Sequence, residues 1–254
     1  MHPFFTTSIS GRPLVFAHRG GSALAPENTM EAFANGLSLG ADGLELDVHL
    51  SRDGLVIVHH DSTVDRTTSG RGAVAAMTAS DLARLDVAAL ADVLTEFRDA
   101  RVIVELKVNS TQLARAVVDV VRRADAVERV CLGAFRRRAL HAARGAEPAI
   151  ATSAAREEVR WALYRSWVRR PSHGAAYAGF QVPEFAGATR VVSRRFVELA
   201  HRAGLGVQVW TVDTEDDARR LLDWGVDAII TDRPDLIVPV VREVPGVQGV
   251  REKF

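Results

Sequence analysis

Short apolar runs alternate with longer amphipathic stretches along almost the whole chain, and this alternation limits the possible folds more than any other feature. Nine runs have the length and the Val, Ile, Leu and Ala content of buried strands: 14–18, 42–48, 55–60, 101–107, 129–134, 149–153, 175–182, 206–212 and 227–232. Near-continuous apolar strands separated by helices are typical of a parallel sheet covered on both faces. About eight such units in 254 residues predict a single (β/α)8 TIM barrel rather than an open doubly wound sheet.

One of the nine runs is in excess, and the second and third runs are unusually close together. Only residues 48–54 lie between Asp47 and Leu55, which is fewer than the dozen or so residues of a parallel crossover. The Asp53-Gly54 pair is typical of a tight turn. We therefore predict a barrel that is distorted near its second and third strands, with no helix between them. Residues 1–254 are expected to form one domain, with a core at 13–238 and a peripheral tail after Pro239.

The first predicted helix follows the sequence AHRG (17–20) and has clear start and stop signals. We predict that Asn28 caps the helix and that Glu31, three residues later, completes a capping box. Gly40 supplies the stop signal. These boundaries place His18 and Arg19 at the carboxyl end of the first strand, which is the end of a barrel where active sites lie.

The composition excludes several classes of protein. Lys plus Arg and Asp plus Glu number 32 each, so the chain lacks the excess of basic charge on which nucleic-acid binding depends. One cysteine, Cys131, excludes an internal disulfide framework and fits a reducing compartment. The N-terminal residues lack a signal-peptide pattern, and no apolar run is long enough for stable membrane insertion. We expect a cytoplasmic protein.

Three carboxylates are predicted to meet at the ends of neighbouring strands. Glu45 and Asp47 are two residues apart and share one face of a strand, and Glu105 and Lys107 repeat this spacing. Buried carboxylates are costly unless they are paired or bind a cation. Ligands that are all oxygen favour a hard divalent ion, Mg²⁺ or Ca²⁺, or else Mn²⁺. The alternative is that Glu105 pairs with Lys107 while Glu45 and Asp47 lie on a solvated edge.

Two histidines at strand ends are candidates for acid–base catalysis. His18 and His60 can act as base and acid on opposite sides of a reacting centre, since histidine titrates near neutral pH. Arg19 and Lys107 would hold an anionic group, so the combination indicates phosphoryl transfer. The remaining histidines that we considered are interpreted as structural residues: His49, His59, His141, His173 and His201.

An ordered set of motifs resembles the glycerophosphodiester phosphodiesterases. The motifs are HRG (18–20), PENT (26–29), GADGLELDVHLSRDG (40–54), VIVHHD (56–61), RTT (66–68), VELK (104–107), VWTVD (209–213) and IITDRPD (229–235). The resemblance implies a TIM barrel and divalent-metal-dependent hydrolysis of glycerophosphodiesters to sn-glycerol 3-phosphate and an alcohol. The chain departs from the usual pattern at Gly133-Ala134-Phe135 and at Asp213, which bears on substrate specificity rather than on catalysis.

The resemblance also implies a role for each candidate residue. It makes His18 and His60 the acid–base pair, and it makes Arg19 and Lys107 the contacts to phosphate. Trp210, at the end of a strand, would form a wall of the glycerol pocket. The metal ligands that it implies are Glu45, Asp47 and Glu105.

Several alternatives remain open at this point. A lyase on the same scaffold would stop at a cyclic phosphate, in the manner of a phospholipase D-like or phosphoinositide-type enzyme, and a non-catalytic ligand-binding barrel is a third possibility. Attack by the glycerol 2-hydroxyl and direct attack by water are both compatible with these residues. The sequence does not choose the alcohol head group, the ion, the oligomeric state or which histidine is the base.

The segment RWALYRSWVRRP (160–171) mixes aromatic residues with arginines. One interpretation is an amphipathic surface segment that makes transient contact with lipid head groups. The other is an outer barrel helix that packs Trp161, Tyr164 and Trp167 against the sheet.

Overall fold

Eight parallel strands form a barrel in the computed structural model, which describes residues 1–5 and 11–244. The barrel strands are β1 (Leu14–His18), β2 (Gly43–Leu50), β4 (Arg101–Leu106), β5 (Val130–Gly133), β6 (Ala151–Thr152), β7 (Gly179–Pro183), β10 (Gly206–Trp210) and β11 (Ala228–Thr231). They pair in the order β6-β5-β4-β2-β1-β11-β10-β7, and a parallel bridge between Ser153 and Gly179 joins the two ends. The predicted (β/α)8 TIM barrel is confirmed.

The excess strand among the nine predicted is the third run, 55–60, which is an addition to the barrel and not one of its eight strands. It is β3 (Val56–Val58), which pairs antiparallel with β2 after a tight turn. The turn is closed by the Gly54 N–H, which donates to the Ser51 carbonyl at 3.0 Å, and Gly54 adopts a φ of 85° that glycine accepts without strain. The distortion predicted near the second and third strands is therefore present. A two-stranded hairpin of β8 (Phe185–Ala186) and β9 (Thr189–Arg190) follows β7.

The helices occupy the outside of the barrel. In chain order they are α1 (Met30–Ser38), α2 (Ala79–Ala83), α3 (Leu90–Glu96), α4 (Thr111–Arg123), α5 (Arg137–Ala146), α6 (Arg156–Trp167), α7 (Arg194–Arg202), α8 (Glu215–Asp223) and α9 (Pro234–Glu243). Hydroxyl side chains begin several of them by accepting backbone N–H groups, as Ser110, Ser193 and Thr214 do. No helix in the described part of the chain is both long and apolar enough to span a bilayer.

The start of α1 differs from the prediction by one residue. Thr29, and not Asn28, is the N-cap, and its hydroxyl accepts the Ala32 N–H at 3.1 Å. Asn28 has a φ of 59° and turns its side chain toward the barrel rim. The capping prediction failed because Asn is favoured both at caps and in left-handed backbone, and a tertiary contact decided between them.

The barrel interior below its carboxyl rim is mostly apolar, apart from the buried Gln208 and its hydrogen-bond partner Gln181. Alternating strand residues point outward to the helices or inward to the axis. The inward-facing cluster consists of Phe4, Phe5, Leu14, Phe16, Ile103, Cys131, Ala151, Ala228 and Ile230. Phe4 and Phe5 come from a 3₁₀ turn (Pro3–Phe5) that precedes β1.

Phe5 closes the lower end of the barrel against two glycines. A Cβ at Gly179 or at Gly206 would come within 2.6 Å of Phe5 atoms, so only glycine allows the ring to enter there. Buried residues thus extend beyond 13–238: Phe5 lies before this range, and Val240 and Val241 of α9 lie after it. Of the tail predicted to be peripheral, residues 245–254 lie outside the described residues.

Helix α6 lies outside the barrel, in agreement with the interpretation of residues 160–171 as part of an outer barrel helix. Its inner face consists of small and apolar residues such as Ala162 and Leu163. However, Trp161, Tyr164 and Trp167 do not pack against the sheet, and each of them is more than half exposed. The prediction that these aromatic rings pack on the sheet is therefore wrong.

We expect Phe5→Ala to destabilise the fold by about 3–5 kcal/mol, because the substitution opens a cavity in a fully buried part of the barrel. Urea denaturation measures the loss. Leu55→Ala, at a side chain that is 48 % exposed, is the control and should change the free energy of unfolding by less than about 0.5 kcal/mol. Equal effects of the two substitutions would contradict the role of Phe5 as a plug.

Candidate active site

Strand register places four of the predicted residues side by side at the carboxyl rim. His18 is paired with Glu45 across β1 and β2, and Asp47 is paired with Glu105 across β2 and β4. The intervening residues of β2 belong to the core between sheet and helices: Leu44, Leu46 and Val48. The side chains of Glu45, Asp47 and Glu105 therefore point into the barrel, above its apolar interior.

His18 is held between two carboxylates. Its Nδ1 is 2.7 Å from Asp232 Oδ1, and its Nε2 is 3.7 Å from Glu45 Oε2. Burial by itself would lower the pKa of His18, but the charge of Glu45 and the hydrogen bond to Asp232 outweigh burial and raise the pKa. Ser22 also donates a hydrogen bond to Asp232, at 2.5 Å. The imidazole is thereby fixed with Nε2 directed toward the site.

His60 lies in the loop after β3 and has a carboxylate partner of its own. Its Nδ1 is 2.6 Å from Asp61 Oδ1. Two buried histidines hold the surrounding loop: His49 Nε2 is 3.2 Å from the His60 carbonyl oxygen, and His59 Nε2 is 3.0 Å from the Thr63 carbonyl oxygen. Burial lowers the pKa of His49, which favours a neutral imidazole. The contacts of His49 and His59 agree with the structural roles predicted for them.

Two of the three carboxylates carry raised pKa values. Burial and the charge of Asp47 raise the pKa of Glu45, while burial and the charges of Glu45 and Asp47 raise that of Glu105 to about 8. Glu105 lies against Gly133 and accepts a hydrogen bond from the Phe135 N–H. A Cβ at position 133 would overlap the Glu105 carboxylate, so glycine at the end of β5 makes room for it.

Asp47 is surrounded by donors. Arg19 Nε lies 3.3 Å from one of its oxygens and Lys107 Nζ lies 3.2 Å from the other, while Asn28 Nδ2 donates to it at 3.1 Å. Asp47 is only 3 % exposed. The alternative in which Lys107 pairs with Glu105 and the β2 carboxylates lie on a solvated edge is therefore wrong.

A chain of ion pairs connects the two histidine loops. Arg19 Nη1 is 3.3 Å from Glu27, and Arg66 binds Glu27 through two nitrogens at 2.6 and 3.0 Å. Arg66 Nε also binds Asp61 at 2.7 Å, and Asp61 binds His60. These contacts hold the pKa of Asp61 well below its usual range, Arg66 contributing most. The His60 loop is thus fixed relative to the end of β1.

The carboxylate cluster has the chemistry of a site for a hard divalent cation. In residues 1–5 and 11–244, no group of three or more His, Cys, Asp or Glu side chains is already arranged as metal ligands. The donor set nevertheless fits: Glu45, Asp47 and Glu105 offer only oxygen, and burial together with the neighbouring carboxylates raises the pKa of Glu45 and of Glu105. A divalent cation would stabilise the ionised forms of these side chains.

Trp210 borders the site from β10, which lies across the barrel from β4. It ends β10, and its ring meets the ring of Phe135 edge to face, with centroids 6.2 Å apart. Phe135 is 52 % exposed. The two rings form an apolar wall beside the polar residues of the rim.

Sequence reasoning missed Asp232 as the partner of His18. The signal was present, since Asp232 directly follows β11 and the first and last strands of a closed barrel are neighbours. Asp213, a departure from the usual motif, accepts the Asp232 N–H at 2.8 Å and the Thr231 hydroxyl at 2.9 Å. It thereby fixes the turn that presents Asp232. Asn28 was assigned to a helix cap, so its contact with Asp47 was missed as well.

Comparison with known proteins identifies the family. The model of the "Glycerophosphoryl diester phosphodiesterase family" matches residues 18–236. A glycerophosphodiester phosphodiesterase of Caldanaerobacter subterraneus subsp. tengcongensis is 30 % identical over 251 residues, covering 91 % of this chain and 99 % of the relative. Because the match covers most of both chains, the similarity extends over the whole barrel.

Solved structures agree with this assignment. A glycerophosphodiester phosphodiesterase from Agrobacterium tumefaciens superposes with a TM-score of 0.74 at 27 % identity, covering 90 % of this chain and 98 % of that one. A phosphodiesterase from Oleispira antarctica, in complex with the product sn-glycerol-3-phosphate, has the same fold, with a TM-score of 0.74, 24 % identity and coverage of 91 % and 97 %. The predicted class, a phosphoric diester hydrolase, is confirmed, and the chain belongs to the glycerophosphoryl diester phosphodiesterase family.

Proposed function

We propose that this chain hydrolyses glycerophosphodiesters to sn-glycerol 3-phosphate and an alcohol, with His18 and His60 as the acid–base pair and a divalent cation held by Glu45, Asp47 and Glu105. One observation carries the proposal. Each of the two rim histidines has its Nδ1 bound to a carboxylate, and both lie at the rim that holds the buried cluster of three carboxylates.

The carboxylate partners determine which nitrogen of each histidine reacts. With Nδ1–H donated to Asp232 or to Asp61, the Nε2 atoms of His18 and His60 remain for proton transfer. One Nε2 removes a proton from the nucleophile, either water or the glycerol 2-hydroxyl, and the other, already protonated, donates a proton to the departing alcohol. After attack by the 2-hydroxyl, water opens the cyclic phosphate with the two roles reversed, which gives sn-glycerol 3-phosphate. Two imidazoles with opposite protonation states can therefore serve both sides of one phosphorus atom.

Arg19 and Lys107 provide positive charge for the phosphate. Both contact Asp47, and both side chains are partly accessible at the rim. Arginine matches phosphate geometry well, and lysine adds a second positive charge. A bound divalent cation would act as a Lewis acid on the phosphodiester and would neutralise charge that develops in the transition state.

The apolar wall of Trp210 and Phe135 can contact the carbon atoms of a substrate. Trp210 and Phe135 face the rim with ring surfaces and not with charges. We propose that Trp210 contacts the glycerol carbons while the polar side of the site holds the phosphate. The product named in the Oleispira antarctica structure, sn-glycerol-3-phosphate, combines these two parts.

We expect His18→Ala and His60→Ala each to lower kcat by about 10²–10⁴-fold with little change in stability, because each removes one proton-transfer group. Release of glycerol 3-phosphate from glycerophosphocholine measures turnover, and a thermal melt checks the fold. His141→Ala, at an exposed histidine of α5, is the matched control and should retain full activity. Unchanged turnover in either rim variant would refute the acid–base assignment.

Removal of divalent cations should abolish turnover, and Mg²⁺ or Ca²⁺ should restore it. Asp47→Asn should lower the apparent affinity for the cation by at least about tenfold, because it removes a charged oxygen ligand. The cation concentration that gives half-maximal activity is the measurement, with Asp119→Asn on the exposed face of α4 as control. Full activity after exhaustive EDTA treatment would overturn the metal site.

Asp232→Asn should lower kcat by at least about tenfold while KM changes little, since an amide no longer fixes the tautomer of His18 or stabilises its charged form. Steady-state kinetics separate the two parameters. Asp235→Asn, at the start of α9, removes a nearby carboxylate that binds Arg233 and should have no such effect. A change in KM alone would show that Asp232 does not act through His18.

A further inference from the structure

Helix α6 has apolar residues on two opposite faces. Its inner face, toward the barrel, contains the buried residues Ala162, Leu163 and Ser166. Its outer face contains Trp161, Tyr164 and Trp167, followed by Val168, and these four side chains are 51–59 % exposed. The Trp161 and Tyr164 rings stack with centroids 5.7 Å apart. A barrel helix needs only its inner face to be apolar, so the outer face has no role in folding.

The charges around this outer face are unbalanced. Glu157 is 3.6 Å from Arg136, and Glu158 is 2.8 Å from Arg144, so both acidic residues of α6 are neutralised by arginines from α5 and the turn before it. In contrast, three exposed arginines form no ion pair with any described residue: Arg160, Arg169 and Arg170. Since the whole chain has zero net charge, this positive charge is a local feature.

We propose that the outer face of α6, with residues 168–170, binds the surface of an anionic lipid bilayer. Trp161, Tyr164 and Trp167 would lie among the head groups, where amphipathic aromatic rings are most favourable. The free arginines would contact lipid phosphates, which attract basic side chains near the membrane surface. The result is peripheral binding through a helix that lies in the plane of the interface.

The charge pattern favours a lipid surface over a second copy of the chain. A symmetric dimer would place this face against the same face of a second copy, so the unpaired arginines of the two chains would repel each other. Here, Arg160 is adjacent to Trp161, and Arg169 and Arg170 follow Trp167 and Val168 directly. Unpaired arginines at both ends of an aromatic segment suit a surface that is itself negatively charged.

Helix α6, which carries this surface, begins at the barrel rim that holds the active site. The N–H of Arg156, the first residue of α6, donates to the Phe135 carbonyl at 3.1 Å, and Phe135 also contacts Trp210. Bilayer binding would therefore hold the rim near lipid head groups. The binding itself requires no catalysis, so it can be tested independently of the proposed function.

Vesicle flotation tests the proposal. The protein should float with vesicles of equal parts phosphatidylglycerol and phosphatidylcholine at low ionic strength, and it should not float with pure phosphatidylcholine. Trp161→Ala/Trp167→Ala and Arg160→Glu/Arg170→Glu should each lower the partition coefficient by at least about tenfold. Leu39→Ala/Leu55→Ala and Arg123→Glu/Arg195→Glu, at exposed positions on other elements, are the matched controls and should bind like the wild type.

Three results would overturn the proposal. They are absence of flotation with the anionic vesicles, equal binding of the α6 variants and the controls, and equal binding to both lipid compositions. Sedimentation equilibrium without lipid adds a further check. A dimer that forms in the wild type and is lost in Trp161→Ala/Trp167→Ala would assign the face to a second copy of the chain instead.

Discussion

The close approach of three carboxylates at one end of two paired strands is the constraint on which the rest of the active site depends. Burial and the charges of the neighbouring carboxylates raise the pKa of Glu45 and of Glu105, while Asp47 lies beside both of them. Arg19 and Lys107 offset part of this negative charge through Asp47. In the proposed function, a hard divalent cation would add positive charge to this cluster, and the phosphate group would lie beside it.

The fold supports this concentration of charge by separating it from the core. Below the rim, the interior is filled mostly by aromatic and aliphatic side chains, and Phe5 closes the far end against Gly179 and Gly206. The charged residues therefore lie in one layer at the carboxyl rim, with the packed interior beneath them. Rigidity comes from contacts behind the histidines: Asp232 and Asp213 on one side, Asp61 and Arg66 on the other.

Much of this arrangement could be predicted from the sequence because it follows from periodicity. Strand ends are visible as apolar runs, so His18, Glu45, Asp47 and Glu105 could be placed at one rim. Contacts between distant segments have no such signal. The pairing of His18 with Asp232 and the contact of Asn28 with Asp47 depend on tertiary structure, as does the entry of Phe5 into the barrel. The apolar character of α6 was visible, but the direction of its aromatic rings was not.

Phosphorus NMR of the purified protein with glycerophosphocholine, without and with added Mg²⁺ or Ca²⁺, tests the central claim most directly. One spectrum identifies the product as well as its formation. The account predicts that the diester signal disappears and that the signal of sn-glycerol 3-phosphate appears, only when the cation is present. A cyclic phosphate that persists would show a lyase on the same scaffold. An unchanged diester, with this and a panel of related substrates, would contradict the assignment of these residues to phosphodiester hydrolysis.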